Sequence, residues 1–121
     1  PTVLEQLNGR WDVQQVAGAS LGEGVDAWIA VDAAAGAMHG FTGCAEFTAN
    51  VTSFGELIAI SDLQRVQGDC PNAAAATDEQ RLLGVLPSVQ RQVRHGRSLQ
   101  LLPSEAGGEA LVLLRLADTQ S

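Results

Sequence analysis

The chain has 121 residues and a formal net charge of −7, with fourteen acidic residues, seven arginines and no lysine. This length fits one domain, which we assign to residues 1–121. The acidic balance argues against nucleic acid and anionic membrane surfaces as partners, because both attract basic patches. The apolar runs are too short for a transmembrane helix, which needs about 20 apolar residues.

Short strands are predicted for the first forty residues. A turn signal at Asn8-Gly9 precedes a strand over residues 11–16, with its odd-numbered residues from Trp11 to Gln15 on one face. Two further strands are predicted over residues 28–31 and 37–41.

A hairpin is predicted over residues 46–60. Phe47, Ala49 and Val51 alternate with polar residues, which is the pattern of a half-buried strand. Phe54-Gly55-Glu56 turns the chain into an apolar strand that continues towards residue 66.

One helix is predicted over about residues 77–86. Thr77 to Gln80 has the pattern of a capping box, with a hydroxyl at the cap and Gln three positions later. Asp78 and Glu79 suit the positive end of the helix dipole, which accounts for this carboxylate pair without any catalytic role.

The apolar stripe of this helix is expected to pack against the sheet. Leu82, Leu83 and Leu86 form the stripe, and Pro87 ends the helix because it lacks an N–H donor. We expect Leu82 and Leu86 to contact the strand residues Val31, Ile58 and Leu113.

Three further strands are predicted, over residues 89–94, 98–102 and 110–116. The fold class is therefore α+β, a strongly curved antiparallel sheet or open barrel of about eight short strands with one helix packed on it.

The order of these segments resembles the META domain family, which includes HslJ-like heat-inducible bacterial lipoproteins. The resemblance spans residues 7–116, which we take as the core of the domain. It is carried by the segments Leu7-Asn8-Gly9-Arg10-Trp11, Gly40-Phe41-Thr42-Gly43-Cys44, Leu57 to Cys70, the helix, and Ser98-Leu99-Gln100-Leu101. Ala45 stands where the family commonly has Asn, and Val66-Gln67-Gly68 stands where it usually has a nearby Thr.

The resemblance implies an exported, often lipid-anchored domain that is similar in architecture to pilotin lipoproteins, which chaperone secretins. We therefore expect a periplasmic, outer-membrane-associated or secreted protein. The chain begins at Pro1, so a trimmed leader, a processed precursor and an excised domain all remain open.

The two cysteines, Cys44 and Cys70, are expected to form a disulfide in an exported protein. The first alternative is a pair of buried free thiols. The second is a zinc site completed by His39 and His95, although none of the spacings matches a ligand pair. The third is a thiol nucleophile at Cys44, which has no neighbouring base in the sequence.

The expected function is that of a non-enzymatic envelope domain that binds a protein segment or a lipid chain, without metal or cofactor. The candidate apolar contacts are Trp11, Trp28 and Phe41. The alternatives are a structural accessory domain of a larger envelope protein and a thiol-dependent enzyme that uses Cys44.

The remaining charged groups are expected to be structural. Glu23 and Asp26 lie in a Gly-rich segment and are predicted to be solvated. Arg91, Arg94 and Arg97 would form either a local basic patch or a guarded strand edge, and we favour the edge.

Overall fold

The structure is a computed structural model that describes residues 5, 7–22, 24–66, 68–103 and 110–116, so Glu23 and Gln67 lie outside the described residues. Nine strands in this part of the chain form one antiparallel sheet. The strands are β1 (Gly9–Val16), β2 (Ala19–Ser20), β3 (Trp28–Asp32), β4 (Ala37–Phe41), β5 (Glu46–Phe54), β6 (Leu57–Arg65), β7 (Arg91–His95), β8 (Ser98–Leu102) and β9 (Val112–Leu116). A helix, α1 (Ala73–Val85), leads into a 3₁₀ helix (Leu86–Ser88).

The sheet curls into a half-barrel. Eight strands follow the order β6-β5-β4-β3-β1-β9-β8-β7, and β2 pairs with β1. The curl brings the two edges together, because the Ile58 N–H of β6 donates to the Gln90 carbonyl just before β7 at 2.8 Å. The predicted fold class, a strongly curved antiparallel sheet with a helix, is confirmed.

The core lies between the inner face of the sheet and α1. Leu82 and Leu86 lie in the same buried cluster as Val31 and Ile58, so the apolar stripe packs on the predicted side of the sheet. The prediction for Leu113 was wrong, because its neighbours Val112 and Leu114 carry the inward positions of β9. Successive side chains of a strand point to opposite faces, so Leu113 points outward.

A bulge in β1 changes which of its residues face the core. The pairing of β1 with β9 shifts register between Val13 and Gln15. Val16 is buried and Gln15 is only half-buried, so the predicted alternation holds for Trp11 and Val13 and fails at Gln15. An extra residue at a bulge reverses the side-chain parity beyond it.

The helix begins four residues before the predicted start at Thr77. Asn72 is the N-cap, and its side-chain oxygen accepts the Ala75 N–H at 2.9 Å. The alanine-rich segment after Asn72 is therefore the first turn of α1, and the predicted capping box at Thr77 was wrong. The α-helix ends at Val85, and Pro87 lies in the 3₁₀ helix that follows. Pro87 cannot continue the α-helix because it has no N–H to donate.

Candidate functional site

The turn between β4 and β5 requires glycine for two different reasons. A Cβ at Gly40 would clash with the Trp28 carbonyl and lie 2.8 Å from the ring of Phe47, so the backbone passes too close for a side chain. Gly43 has φ +103°, a conformation that other residues rarely adopt. Gly40 and Gly43, which belong to the segment that resembles the family, thus determine the backbone path that leads to Cys44.

Thr42 is the polar centre of this turn. Its hydroxyl oxygen accepts the N–H groups of Cys44 and Ala45, both at 3.1 Å. The hydroxyl donates to the Glu79 carboxylate of α1 at 2.7 Å, and the side chain is fully buried. Ala45 stands where the family commonly has Asn, and in this turn the hydroxyl of Thr42 makes the polar contacts.

Glu79 joins the turn to α1 and to the end of β6. One carboxylate oxygen, Oε2, accepts both the Thr42 hydroxyl and the Arg65 Nε–H, the latter at 2.8 Å. Arg65 also donates to the Gly68 carbonyl at 2.8 Å. The carboxylate is buried, so these charge-assisted bonds replace the water that burial removed. Glu79 lies beyond the first turn of α1, so the prediction that it complements the helix dipole was wrong, and its carboxylate instead links the turn, the helix and β6.

The neighbouring carboxylate, Asp78, is buried as well. Its Oδ2 accepts the Gly22 N–H at 2.7 Å, and its Oδ1 lies 3.6 Å from Arg81. The prediction that Asp78 lies at the positive end of the helix dipole was wrong, because the helix starts earlier and this carboxylate bonds to the loop at Gly22.

Cys44 and Cys70 are joined by a disulfide, with their Cα atoms 4.3 Å apart. We call the turn residues Gly40 to Cys44, together with Cys70, Arg65 and Glu79, the disulfide corner. The two sulfur atoms and the Glu79 carboxylate lie within 4.8 Å of one another.

The histidines of the alternative zinc site are not at this corner. His39 stacks edge-on against the Trp28 ring, with a centroid distance of 5.6 Å, on the exposed side of β4. His95 is exposed at the end of β7. Among the described residues, the group of ligand types that meets at the cysteines contains Glu79 and neither histidine.

The three candidate apolar contacts have different surroundings. Trp11 is 0% exposed and its indole N–H donates to the Leu7 carbonyl at 2.8 Å, so it belongs to the core and its assignment as a contact residue was wrong. Trp28 and Phe41 are paired across β3 and β4 and border a surface depression. The Arg10 guanidinium covers the Trp28 ring at 4.3 Å, so much of this aromatic face already has a partner.

A more open apolar surface lies at the end of the β5–β6 hairpin. Phe54 is 85% exposed and Leu57 is 42% exposed. They border a groove of about 250 Å³ that continues to the 3₁₀ helix. We call Phe54, Leu57, Ile58, Pro87 and Val89 the hairpin tip. The sequence placed Phe54 in a turn but did not indicate its exposure, because a turn aromatic can fold back onto the sheet.

A family model described as META domain matches residues 3–118. The chain belongs to the META domain family. The resemblance seen in the sequence is thereby confirmed over nearly the whole chain.

Two solved structures share the fold of this META domain. One is an NMR structure of a protein from Burkholderia xenovorans, with a TM-score of 0.72 and 15% identity, covering 97% of this chain and 88% of that one. The other, also an NMR structure, has a TM-score of 0.72 and 14% identity, covering 100% and 99%. At 14–15% sequence identity, the similarity to these structures shows a shared fold. No significant match was found among curated proteins.

In the part of this META domain that the structure describes, the core side chains leave little space at the centre of the curled sheet. The internal cavity has a volume of about 10 Å³ and lies between Trp11, Met38, Ile58 and Leu101. This is at most the space of one water molecule. Among the described residues, no helix has the length and apolarity that crossing a membrane requires.

The arginines of the β7–β8 hairpin interact with nearby groups. Arg94 donates to the Gly96 carbonyl at 3.0 Å, and Arg97 donates to the Leu116 carbonyl at 2.9 Å. These contacts to backbone carbonyls favour the interpretation that the arginines protect a strand edge over the alternative that they form a basic patch for an anionic partner. The META family and the disulfide are compatible with an extracytoplasmic domain.

Proposed function

We propose that this META domain is a non-enzymatic interaction module of the cell envelope, which binds an extended protein segment at the hairpin tip. The exposure of Phe54, 85% of its surface, beside an apolar groove is the observation that carries the proposal. Large apolar side chains that border a groove mark interaction sites more often than isolated ones do.

A protein segment fits the hairpin tip better than a lipid chain does. Among the described residues, the cavity between the core side chains has a volume of about 10 Å³, which is too small for an acyl chain. The groove, at about 250 Å³, is slightly smaller than the pockets of about 300–1,000 Å³ that hold small molecules. A groove of this size suits one or two apolar side chains of a peptide.

The backbone of β6 supports the same mode of binding. β6 is an edge strand, and the Ile58 N–H points away from β5, since it donates to Gln90. Peptide groups two residues apart point to the same side of an antiparallel strand, so Ile60 presents its backbone there too. Because the Ile58 N–H is already bonded to Gln90, an extended segment could add to this edge only beyond it, at Ile60, with a side chain reaching the groove at Ala59.

The charge of the domain indicates the chemistry of the segment. The net charge is −7, and the exposed Glu56 lies at the turn between Phe54 and Leu57. An apolar segment flanked by basic residues is therefore favoured by complementarity. A thiol enzyme that uses Cys44 is disfavoured, because the bonded sulfur carries no thiolate to act as a nucleophile.

The test is selection of a phage-displayed library of short random peptides on the oxidised domain. Selected peptides are then titrated against Phe54→Ser, Leu57→Ser and the matched control Val66→Ser, whose side chain is 46% exposed outside the groove. We expect affinity to fall about tenfold or more at the tip variants and to stay unchanged at Val66→Ser.

Two outcomes would contradict the proposal. The first is enrichment of no peptide, or of peptides that bind all three variants equally. The second is binding of palmitate that is lost in Phe54→Ser and Leu57→Ser, which would point to a lipid ligand at the hairpin tip.

A further inference from the structure

The disulfide corner holds three potential metal ligands, two cysteines and one glutamate, at one point. We propose that reduction of the Cys44–Cys70 bond converts this corner into a site for a thiophilic divalent cation such as Zn²⁺, with Cys44, Cys70 and Glu79 as ligands. The two sulfur atoms and a Glu79 oxygen lie within 4.8 Å of one another in the oxidised protein. The proposal is independent of the hairpin tip.

Glu79 is held in position as a ligand should be. Its Oε2 is fixed by the Thr42 hydroxyl at 2.7 Å and by Arg65 at 2.8 Å. Its Oε1 faces the Cys70 sulfur at 3.7 Å. A disulfide sulfur has no proton to donate, so this contact gives Oε1 no hydrogen bond. A carboxylate with one anchored oxygen and one oxygen aimed at sulfur is typical of a ligand oriented by its surroundings.

The distances suit a small metal site after modest side-chain rotations. Zn–S bonds of about 2.3 Å place two tetrahedral sulfur ligands about 3.8 Å apart. The Cα atoms of Cys44 and Cys70 are 4.3 Å apart. Side-chain rotation alone can therefore move the two sulfur atoms to the distance that a metal ion requires. Cys70 is half-buried, which leaves an approach from solvent and a fourth position for water.

The charges at the site would balance. Two thiolates and the Glu79 carboxylate carry three negative charges, which a divalent cation and the Arg65 guanidinium neutralise. The mixture of two thiolates with one carboxylate favours Zn²⁺ or Co²⁺ over the oxygen-seeking Mg²⁺ and Ca²⁺.

The redox step needs a thiol reductant. Two reductant thiols transfer two electrons and two protons to the Cys44–Cys70 bond, which becomes two thiols while the reductant becomes a disulfide. Metal binding then releases the two thiol protons to solvent. A small-molecule disulfide can reverse the step: it takes up two electrons and two protons and becomes two thiols, while Cys44 and Cys70 re-form their bond and release the cation, because a bonded sulfur no longer offers a thiolate.

The test uses Co²⁺ as the probe on the full chain. The protein is reduced with a phosphine, which takes up the oxygen of one water molecule while both protons go to the sulfurs, and is then separated from reductant without air. We expect one equivalent of Co²⁺ to bind, with a sulfur-to-cobalt charge-transfer absorption, and the oxidised protein to show neither. Zn²⁺ should displace Co²⁺ and remove the absorption.

Matched variants separate the ligands from their neighbours. Glu79→Gln should weaken Co²⁺ binding by about tenfold or more, while Asp78→Asn, the adjacent buried carboxylate, should leave it unchanged. Cys44→Ser should abolish stoichiometric binding, and this variant serves if Glu79→Gln does not fold.

Three results would overturn the proposal. They are reduced protein with native circular dichroism that binds no Co²⁺, equal binding by the wild type and by Glu79→Gln or Cys44→Ser, and loss of native structure on reduction alone.

Discussion

The disulfide corner and the hairpin tip use polar and apolar residues in opposite ways. At the corner, Thr42 and Glu79 are buried and bonded to each other across the fold. At the tip, Phe54 and Leu57 are apolar and exposed. Buried polar groups with partners contribute to stability, whereas exposed apolar groups contribute little to it and are available to a partner. Substitutions should therefore destabilise the protein at the corner and affect binding at the tip.

Removal of the disulfide is expected to have the largest effect on stability. The bond closes a loop with a sequence separation of 26, so Cys44→Ala with Cys70→Ala should lower the free energy of unfolding by about 3.5 kcal/mol on the chain-entropy estimate. Guanidinium unfolding in the presence of a chelator measures this change and excludes stabilisation by metal. A loss below about 1 kcal/mol would mean that the corner is held together without its bond.

Thr42→Val is the next largest expected effect. It removes the hydroxyl that accepts two backbone N–H groups and donates to Glu79, and it leaves those groups buried without that partner. We expect a loss of about 2 kcal/mol in urea unfolding. Thr42→Ser keeps the hydroxyl and is the control, so we expect a smaller loss there. A Thr42→Val protein as stable as the wild type would show that these hydrogen bonds make no net contribution to stability.

The sequence predicted the backbone of the corner but not its polar contacts. Gly40 and Gly43 indicate a tight turn, because glycine is suited to close approach and positive φ. The Thr42–Glu79 bond joins residues 37 positions apart, and no local pattern encodes such a distance. Glu79 already had a local explanation in the helix dipole, so nothing in the sequence indicated its long-range contact with Thr42.

The strands were more predictable than the helix start. In β5, the apolar residues Phe47, Ala49 and Val51 alternate with polar residues, and this pattern predicts a strand with one buried face. The structure has the same alternation of burial along β5. The first turn of α1 is mostly alanine, which carries no amphipathic period. Its boundary therefore depends on a single cap, Asn72, and the sequence offered Thr77 as a competing signal.

The two cap candidates can be separated by substitution. Asn72→Ala removes the oxygen that accepts the Ala75 N–H and should cost about 1 kcal/mol. Thr77→Ala, at an exposed position inside α1, should be neutral or stabilising by about 0.5 kcal/mol, because alanine has the higher helix propensity. Thermal unfolding of both variants measures the difference, and the reverse order would restore Thr77 as the cap.

Phe54→Ser should have the smallest effect on stability. The side chain is 85% exposed, so little apolar surface returns to water when it is removed. We expect the free energy of unfolding to change by less than about 0.5 kcal/mol, as for most surface substitutions. Urea unfolding of this variant beside Leu57→Ser measures the change. A loss above about 1 kcal/mol would mean that the tip is packed as part of the fold, and the contrast with the corner would disappear. A neutral result combined with lost peptide binding would show that this phenylalanine is retained at the surface for a partner.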